Sequence, residues 1–377
     1  HSLYGAGAVG TAAVLKELME TYKISGTVKV IGSPAEENFD GKAWMIKQDT
    51  LDGIDVFFGC HSSSSNTIPY RSSNAVDYKI YTFHGKAAHA ASVPHRGVSA
   101  LDAVEIMNVA VNFLREHVPM QARIHYVINI GGEAPNVVPA IAQSSYYIRS
   151  PEMSLVKGLS KKIDNCAKGA ALATGTTVDI ELASSIHNKV MNRAGVDLAW
   201  KNLQVVGPPT FTDKDQEAAK ALGLEKGLST ELKPPSEKLE QSYGSSDEGD
   251  VSYNAPLINF SMANVAQETP GHTIETTKQA NMPAAYTAAT QNVKVMALTA
   301  LDLLTNPDEL KKIKDNFTED MKERKYEPGQ EKMLKLKYFP EPPGIYPILP
   351  NEITFIEEET VFKEKSGMVI NVYSGEK

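Results

Sequence analysis

Two adjacent carboxylates, Glu36 and Glu37, stand in the stretch GSPAEEN directly after the apolar run GTVKVI. Open α/β sheets gather their chemistry at the C-terminal ends of strands, so an acidic pair there differs from one on a solvated face. His61 ends a second apolar run, DVFFGC, and His272 lies in the Gly-flanked loop TPGHT after a third, LINFSMA. His1 opens a helical pattern. His and carboxylate donors converging on one sheet edge suit zinc or a similar borderline divalent metal. Neighbouring glutamates at a strand-to-loop turn point different ways. One can bind metal while the other takes a proton from a metal-bound water, the division of labour in metal-assisted hydrolysis. Each residue also has an ordinary reading: solvated acids, a buried strand end, a satisfied polar histidine. The case therefore rests on their placement.

The elements that would carry them follow from periodicity. From His1 to about Asn74 helical and strand patterns alternate, as in βα units of a parallel sheet. A Ser-rich loop, SSSSNTIPYRSSN, closes this part. The texture then changes to half-exposed strands and two long helices in the order β-α-β-β-α-β, from roughly Val76 to Ile186, the ferredoxin-like pattern. The α/β texture resumes and ends with the long helix PAAYTAATQNVKVMALTALDLLT. The expected architecture is a catalytic α/β domain with a central, mostly parallel sheet (1–74 and 187–306), split by an inserted α+β domain (75–186). Residues 307–377, charged and then Pro-rich, read as a C-terminal extension of unknown role.

The bulk properties narrow the classes. The 377 residues carry a net charge of -8, which argues against nucleic acid or an anionic membrane as partner. Only Cys60 and Cys166 are present, so no disulfide framework supports the fold, in keeping with a cytoplasmic protein. Cys60 alternates away from His61 and reads as core packing. Neither SSSSN nor GSSDEGD is a strand-to-helix nucleophile elbow, so a serine hydrolase is disfavoured. Asp247 and Asp250, in GSSDEGDVS, read as hydrogen-bonding within their own loop rather than as ligands, with the orienting of a ligand histidine as the alternative for either. Gly5, Gly7 and Gly10 have dinucleotide-loop spacing but no preceding strand. The chain opens directly in a helical pattern, and sequence upstream of His1 is expected.

Taken in order, His1-Ser2-Leu3, GSPAEEN, FGCHSSSS, GKAAHAA, GGEAPNVVP, GSSDEGDVS and TPGHT resemble the M20 metallopeptidase/amidohydrolase family, nearest its aminoacylase-like branch of aminobenzoyl-glutamate and N-acyl-amino-acid hydrolases. The resemblance spans roughly His1 to Asn306. It implies Glu36 as general base, with Glu37, His1, His61 and His272 as metal ligands. Two divalent ions per subunit are implied, zinc foremost, with Mn, Co or Ni as alternatives. His89, in GKAAHAA, would reach a neighbouring active site across a homodimer formed through 75–186 and stabilise the oxyanion. Asn136 and Arg149 would contact a small amide substrate bearing a free carboxylate. The branch normally carries Cys-Gly before the first His, and an Asp where this chain has Ser2. Two other readings stand beside the amidohydrolase: a metal-poor, non-catalytic assembly subunit, and a carboxypeptidase acting on longer peptides.

Overall fold

Apolar strands alternating with helices build the first layers of the computed structural model, which describes residues 2–33, 36, 41–222, 225–328 and 367–373. The chain begins with α1 (Ser2–Tyr22), β1 (Thr27–Ser33), α2 (Gly41–Lys47) and β2 (Val56–Ser63). A short β3 (Arg71–Ser72) leads into β4 (Ala75–His84), α3 (Ala100–Leu114), β5 (Arg123–Ile130), β6 (Ile141–Ser150), α4 (Met153–Thr174) and β7 (Thr177–Ile186). Next come α5 (Arg193–Val206), α6 (Asp213–Lys220), β8 (Glu240–Gln241), α7 (Glu248–Ser252), β9 (Leu257–Ala263) and α8 (Ile274–Gln279). The last elements are α9 (Pro283–Thr305), α10 (Pro307–Met321) and β10 (Gly367–Tyr373).

Local chemistry sets several boundaries. The Asn192 side chain caps α5 by accepting the Gly195 N–H at 2.8 Å, and Gly207, at φ +78°, ends that helix in a conformation open to glycine. Thr212 and Asp215 form a reciprocal capping box on α6. Asn306 caps α10, and Pro307 takes the first helical position, where its missing N–H costs nothing. No described helix is long and apolar enough to cross a membrane.

The central sheet has the order β1-β10-β2-β9, every pair parallel. Alternation along its strands feeds two cores. Phe58 and Phe260, with ring centroids 5.0 Å apart, pack with Leu15, Val295 and Met296. Phe57 and Leu257 turn to the other face, with Ile31 and Val251. Burial on both faces is what a parallel sheet requires. The second sheet is antiparallel, β5-β6-β4-β7. With α3 and α4, in the chain order β4-α3-β5-β6-α4-β7, it encloses its own core of Tyr81, Val104, Tyr146 and Ile163. Its edge strand β5 is mostly exposed, with only Ile124 of its residues buried.

The region after Asn306 differs from a detached appendage where it is described. Ile313 of α10 is 1% exposed and belongs to the main core. Asn316 accepts the Ala194 N–H at 2.9 Å, and Asn192 donates to the Ile313 carbonyl at 2.9 Å, tying α10 to the start of α5. β10 enters the sheet itself: Ile370 is in register with Val30 on one side and Phe58 on the other.

Candidate active site

The C-terminal ends of β2 and β9 border a cleft of about 1590 Å³, whose far wall is formed by Tyr147, Arg149, Ser184 and Ile186 of the antiparallel sheet. Common small-ligand pockets are roughly 300–1,000 Å³, so this is an open groove between the two sheets. Glu36, His61 and His272 all line it. The expected ligands His1 and Glu37 lie outside the described residues.

His61 stands beside Ser261 in the β2–β9 ladder. A carbonyl can only accept, so the 2.9 Å contact from His61 Nδ1 to the Ser62 carbonyl puts the ring proton on Nδ1. The Nε2 lone pair is thereby left for a metal, the arrangement that fixes the tautomer of ligating histidines. Desolvation is the main influence holding the His61 pKa below its ordinary value; Lys189 acts in the same direction and the Ser62 carbonyl opposes it. The neutral, ligating form is thus favoured. The strand end is held by Asn264, which accepts the Ser62 hydroxyl at 2.9 Å and the Ser63 N–H at 2.8 Å. Tyr4 lies with its ring 5.3 Å from that of His61, and its hydroxyl accepts the Ser62 N–H.

His272 has φ +57°, the left-handed region that a non-glycine residue enters at a cost. The surrounding loop holds it there. Thr273 and Thr276 both donate to the Pro270 carbonyl, at 2.9 and 2.8 Å, and Gln279 accepts the Ala266 N–H at 2.6 Å. Among the described residues no three His, Cys, Asp or Glu stand together as metal ligands. The donors that are described, two imidazoles and a carboxylate on one cleft, match a borderline divalent ion in type.

Behind this edge are charged residues whose partners were not legible in the sequence. Asp247 and Asp250 do not bond mainly within their own loop, as expected, but each reaches across. Asp247, fully buried, pairs with Lys42 of α2, itself 2% exposed, and also accepts the Lys42 N–H at 3.0 Å. This pair ties α2 to the turn at α7. Asp247→Ala should therefore cost about 3–5 kcal/mol, because it strands a buried ammonium, and a urea unfolding curve of variant against parent measures it. Asp250 accepts from His187 Nδ1 at 2.9 Å, a buried histidine packed by Tyr253 and Tyr326. Lys189 pairs with Glu248, and Asn259 donates to the same carboxylate at 3.1 Å.

On the antiparallel sheet, Arg149 reaches the cleft and stacks its guanidinium over Tyr147 at 5.1 Å. Its Nε is buried with no hydrogen-bond partner, and Nη1 reaches Ser245 Oγ at 3.4 Å. His89 and Asn136 are not part of the cleft wall. They sit together elsewhere on that domain, where Ala90 N–H donates to the Asn136 carbonyl at 2.9 Å. His89 Nδ1 accepts from the N–H groups of Ala91 and Ser92, both at 3.2 Å, so the neutral ring carries its proton on an exposed Nε2. Of the other residues weighed, His84 pairs with Asp179 at the surface, and Cys60 is buried in the core.

Comparison with known proteins gives the family. A model described as peptidase family M20/M25/M40 matches residues 1–334. The chain is 32% identical over 334 residues to one of the subunits of p-aminobenzoyl-glutamate hydrolase of Escherichia coli K12, covering 80% of this chain and 69% of that protein. It is 33% identical over 322 residues to the Xaa-Arg dipeptidase of Mus musculus, covering 84% and 69%. The aminobenzoyl-glutamate utilization protein of Klebsiella pneumoniae superposes with a TM-score of 0.56 at 18% identity, covering 79% of this chain and 66% of the other. The chain thus spans about two thirds of the length of these proteins. On the family match and the two relatives together, the chain belongs to peptidase family M20/M25/M40.

Proposed function

We propose that the protein is a metal-dependent amidohydrolase that cleaves the amide bond of small N-acyl-amino acids, dipeptides or aminobenzoyl-glutamate-like substrates. The observation that carries this is the meeting of Glu36, His61 and His272 on one cleft at the strand ends of an M20-family chain. His61 and His272, with His1 and Glu37, would hold two divalent ions, zinc foremost. Such ions lower the pKa of bound water toward neutrality and polarise the amide carbonyl. Glu36 then accepts the proton of the attacking water and returns it to the leaving amine. Arg149, a cation of the cleft wall, pairs with the substrate carboxylate, and Asn136, which sits with His89 outside its own cleft, assists from the neighbouring protomer. His89 offers Nε2–H to the carbonyl oxygen as negative charge develops there.

Because His89 lies away from its own cleft, the reading includes a homodimer formed through residues 75–186, in which the His89 of each protomer serves the other. The exposed apolar side chains Phe113 of α3, Met120 of the α3–β5 connection, and Val127 and Ile128 of β5 support it. Mixing two inactive variants, Glu36→Gln and His89→Ala, should then restore activity. With random exchange, half the dimers are mixed and each has one intact site, giving about a quarter of parental activity. Recovery absent despite proven exchange of protomers would remove His89 from the neighbouring site.

A cytoplasmic location belongs to the same reading. The test of the function is a metal-stripped protein reloaded with Zn, Mn, Co or Ni and screened on N-acyl-amino acids and dipeptides. A protein that folds but takes up no metal would instead favour a non-catalytic assembly component, the reading suggested by the likeness to one member of a hydrolase whose name records more than one kind of chain.

A further inference from the structure

The two relatives differ in the side chain their names specify, glutamate in one and arginine in the other. The cleft of this chain distinguishes them by charge. Among its described lining residues the only acid is Glu36, assigned above to proton transfer, against the cations Arg71, Arg149 and Lys189. Arg71 is committed at the surface to Glu240, at 3.0 Å.

Lys189 is held differently. It lies in the segment between β7 and α5, where Ser72 Oγ donates to its carbonyl at 2.8 Å and its N–H donates to Ser73 Oγ at 3.2 Å. Its side chain is 16% exposed, and Glu248, 3% exposed, accepts one of its hydrogen bonds. Asn259 Oδ1, at 3.5 Å, gives at most a weak second contact. An ammonium has three donors, so donor capacity remains beyond Glu248 on a residue that lines the cleft. The anchor is built into the sheet: a Cβ on Gly59 would fall 2.3 Å from Glu248 Oε1 and 2.4 Å from Asn259 Nδ2. Glycine at that position of β2 lets the carboxylate and amide lie against bare backbone, two residues before His61. Lys189 is thus a cation pinned at the cleft, and Arg149 brings a second cation to it from the opposite sheet.

Resting on the hydrolase reading for the bond that is cleaved, we infer that Lys189, braced by Glu248 and Asn259, is a specificity-determining residue that binds a second carboxylate. The cleft therefore takes N-acyl-amino acids with acidic side chains and rejects those with basic ones. One carboxylate meets Arg149 and the other meets Lys189. A guanidinium in that place would face the Lys189 ammonium and leave its own charge unpaired.

The experiment is calorimetric titration of the full chain in the Glu36→Gln background, with Zn²⁺ present, using N-acetylglutamate, N-acetylglutamine and N-acetylarginine. A hydrogen-bonded charge pair separates the first two, nearly equal in shape, by about tenfold or more, with the arginine derivative weakest. Lys189→Met should bring glutamate and glutamine within about twofold, whereas Lys189→Arg keeps part of the preference. The ligand series on the Glu36→Gln protein alone decides the matter should Lys189→Met fail to fold. Equal binding of glutamate and glutamine derivatives, tighter binding of arginine, no binding of the glutamate derivative, or a preference that survives Lys189→Met would each overturn the inference. Hydrolysis by the parent protein is scored separately. Turnover without the acidic preference sinks only this assignment, and the preference without turnover sinks only the hydrolase reading.

Discussion

Glu36→Gln yields a protein that folds, takes up metal and binds substrate, yet turns over slower by a factor of about 10² to 10⁴, the usual worth of a positioned acid–base group. The amide replaces a carboxylate of nearly the same shape, so the cleft wall it shares with His61 and His272 is kept. What disappears is a carboxylate able to accept a proton and release it again. Metal content by elemental analysis and substrate affinity should stay near parental values while kcat falls. A variant that retained parental kcat would remove Glu36 from proton transfer and return attention to Glu37. Lost metal together with lost activity would make Glu36 a ligand instead.

The second large effect concerns the sheet. β10 pairs with β1 over seven positions, Thr27 to Ser33, and with β2 over three, Val56 to Phe58. Removing residues 367–377 would leave both neighbours with open backbone edges inside the layer. At a net 0.5–1.5 kcal/mol per hydrogen bond, roughly, the loss rivals an entire folding stability of about 5–15 kcal/mol. The truncated chain should lose cooperative unfolding, with β1 the first element to loosen. Ile370→Pro, which deletes a donor where proline is not tolerated in a central strand, should do the same with one substitution. In the intact chain, hydrogen exchange should find the amides of 367–373 protected to the degree of β2. Fast exchange there, or an unchanged melting temperature after truncation, would refute the placement.

The residues explain how much of this could be read beforehand. Amphipathic and alternating patterns are local, so the βα units, the β-α-β-β-α-β insertion and the strand-end positions of His61 and Glu36 were legible. Parallel pairing is not local. Nothing within GMVINVY says that its neighbours are TVKVIGS and VFFGCHSS, so the tail reads as an appendage until the register is seen. Charged residues mislead for a related reason. Lys42, Lys189, Glu248 and Asp250 carry the signature of solvated positions, and their burial follows from partners 205, 59, 59 and 63 residues away. Gly59, a glycine within an apolar strand, was a sequence feature that could have hinted at close approach of another group to β2.

The place of β10 also governs when the molecule can become native. Between the end of β1 at Ser33 and the start of its partner at Gly367, 367 − 33 = 334 residues must be made. At about 5–20 residues per second, a ribosome spends roughly 20–70 s on that interval. Throughout it β1 and β2 lack the strand that lies between them, while the antiparallel domain, whose strands all fall within 75–186, is free to finish first. The nascent chain therefore passes through a long period with a completed insert carried by an unfinished frame. Its yield in the cell should depend on chaperone occupancy and translation speed more than that of a protein whose sheet closes as it emerges.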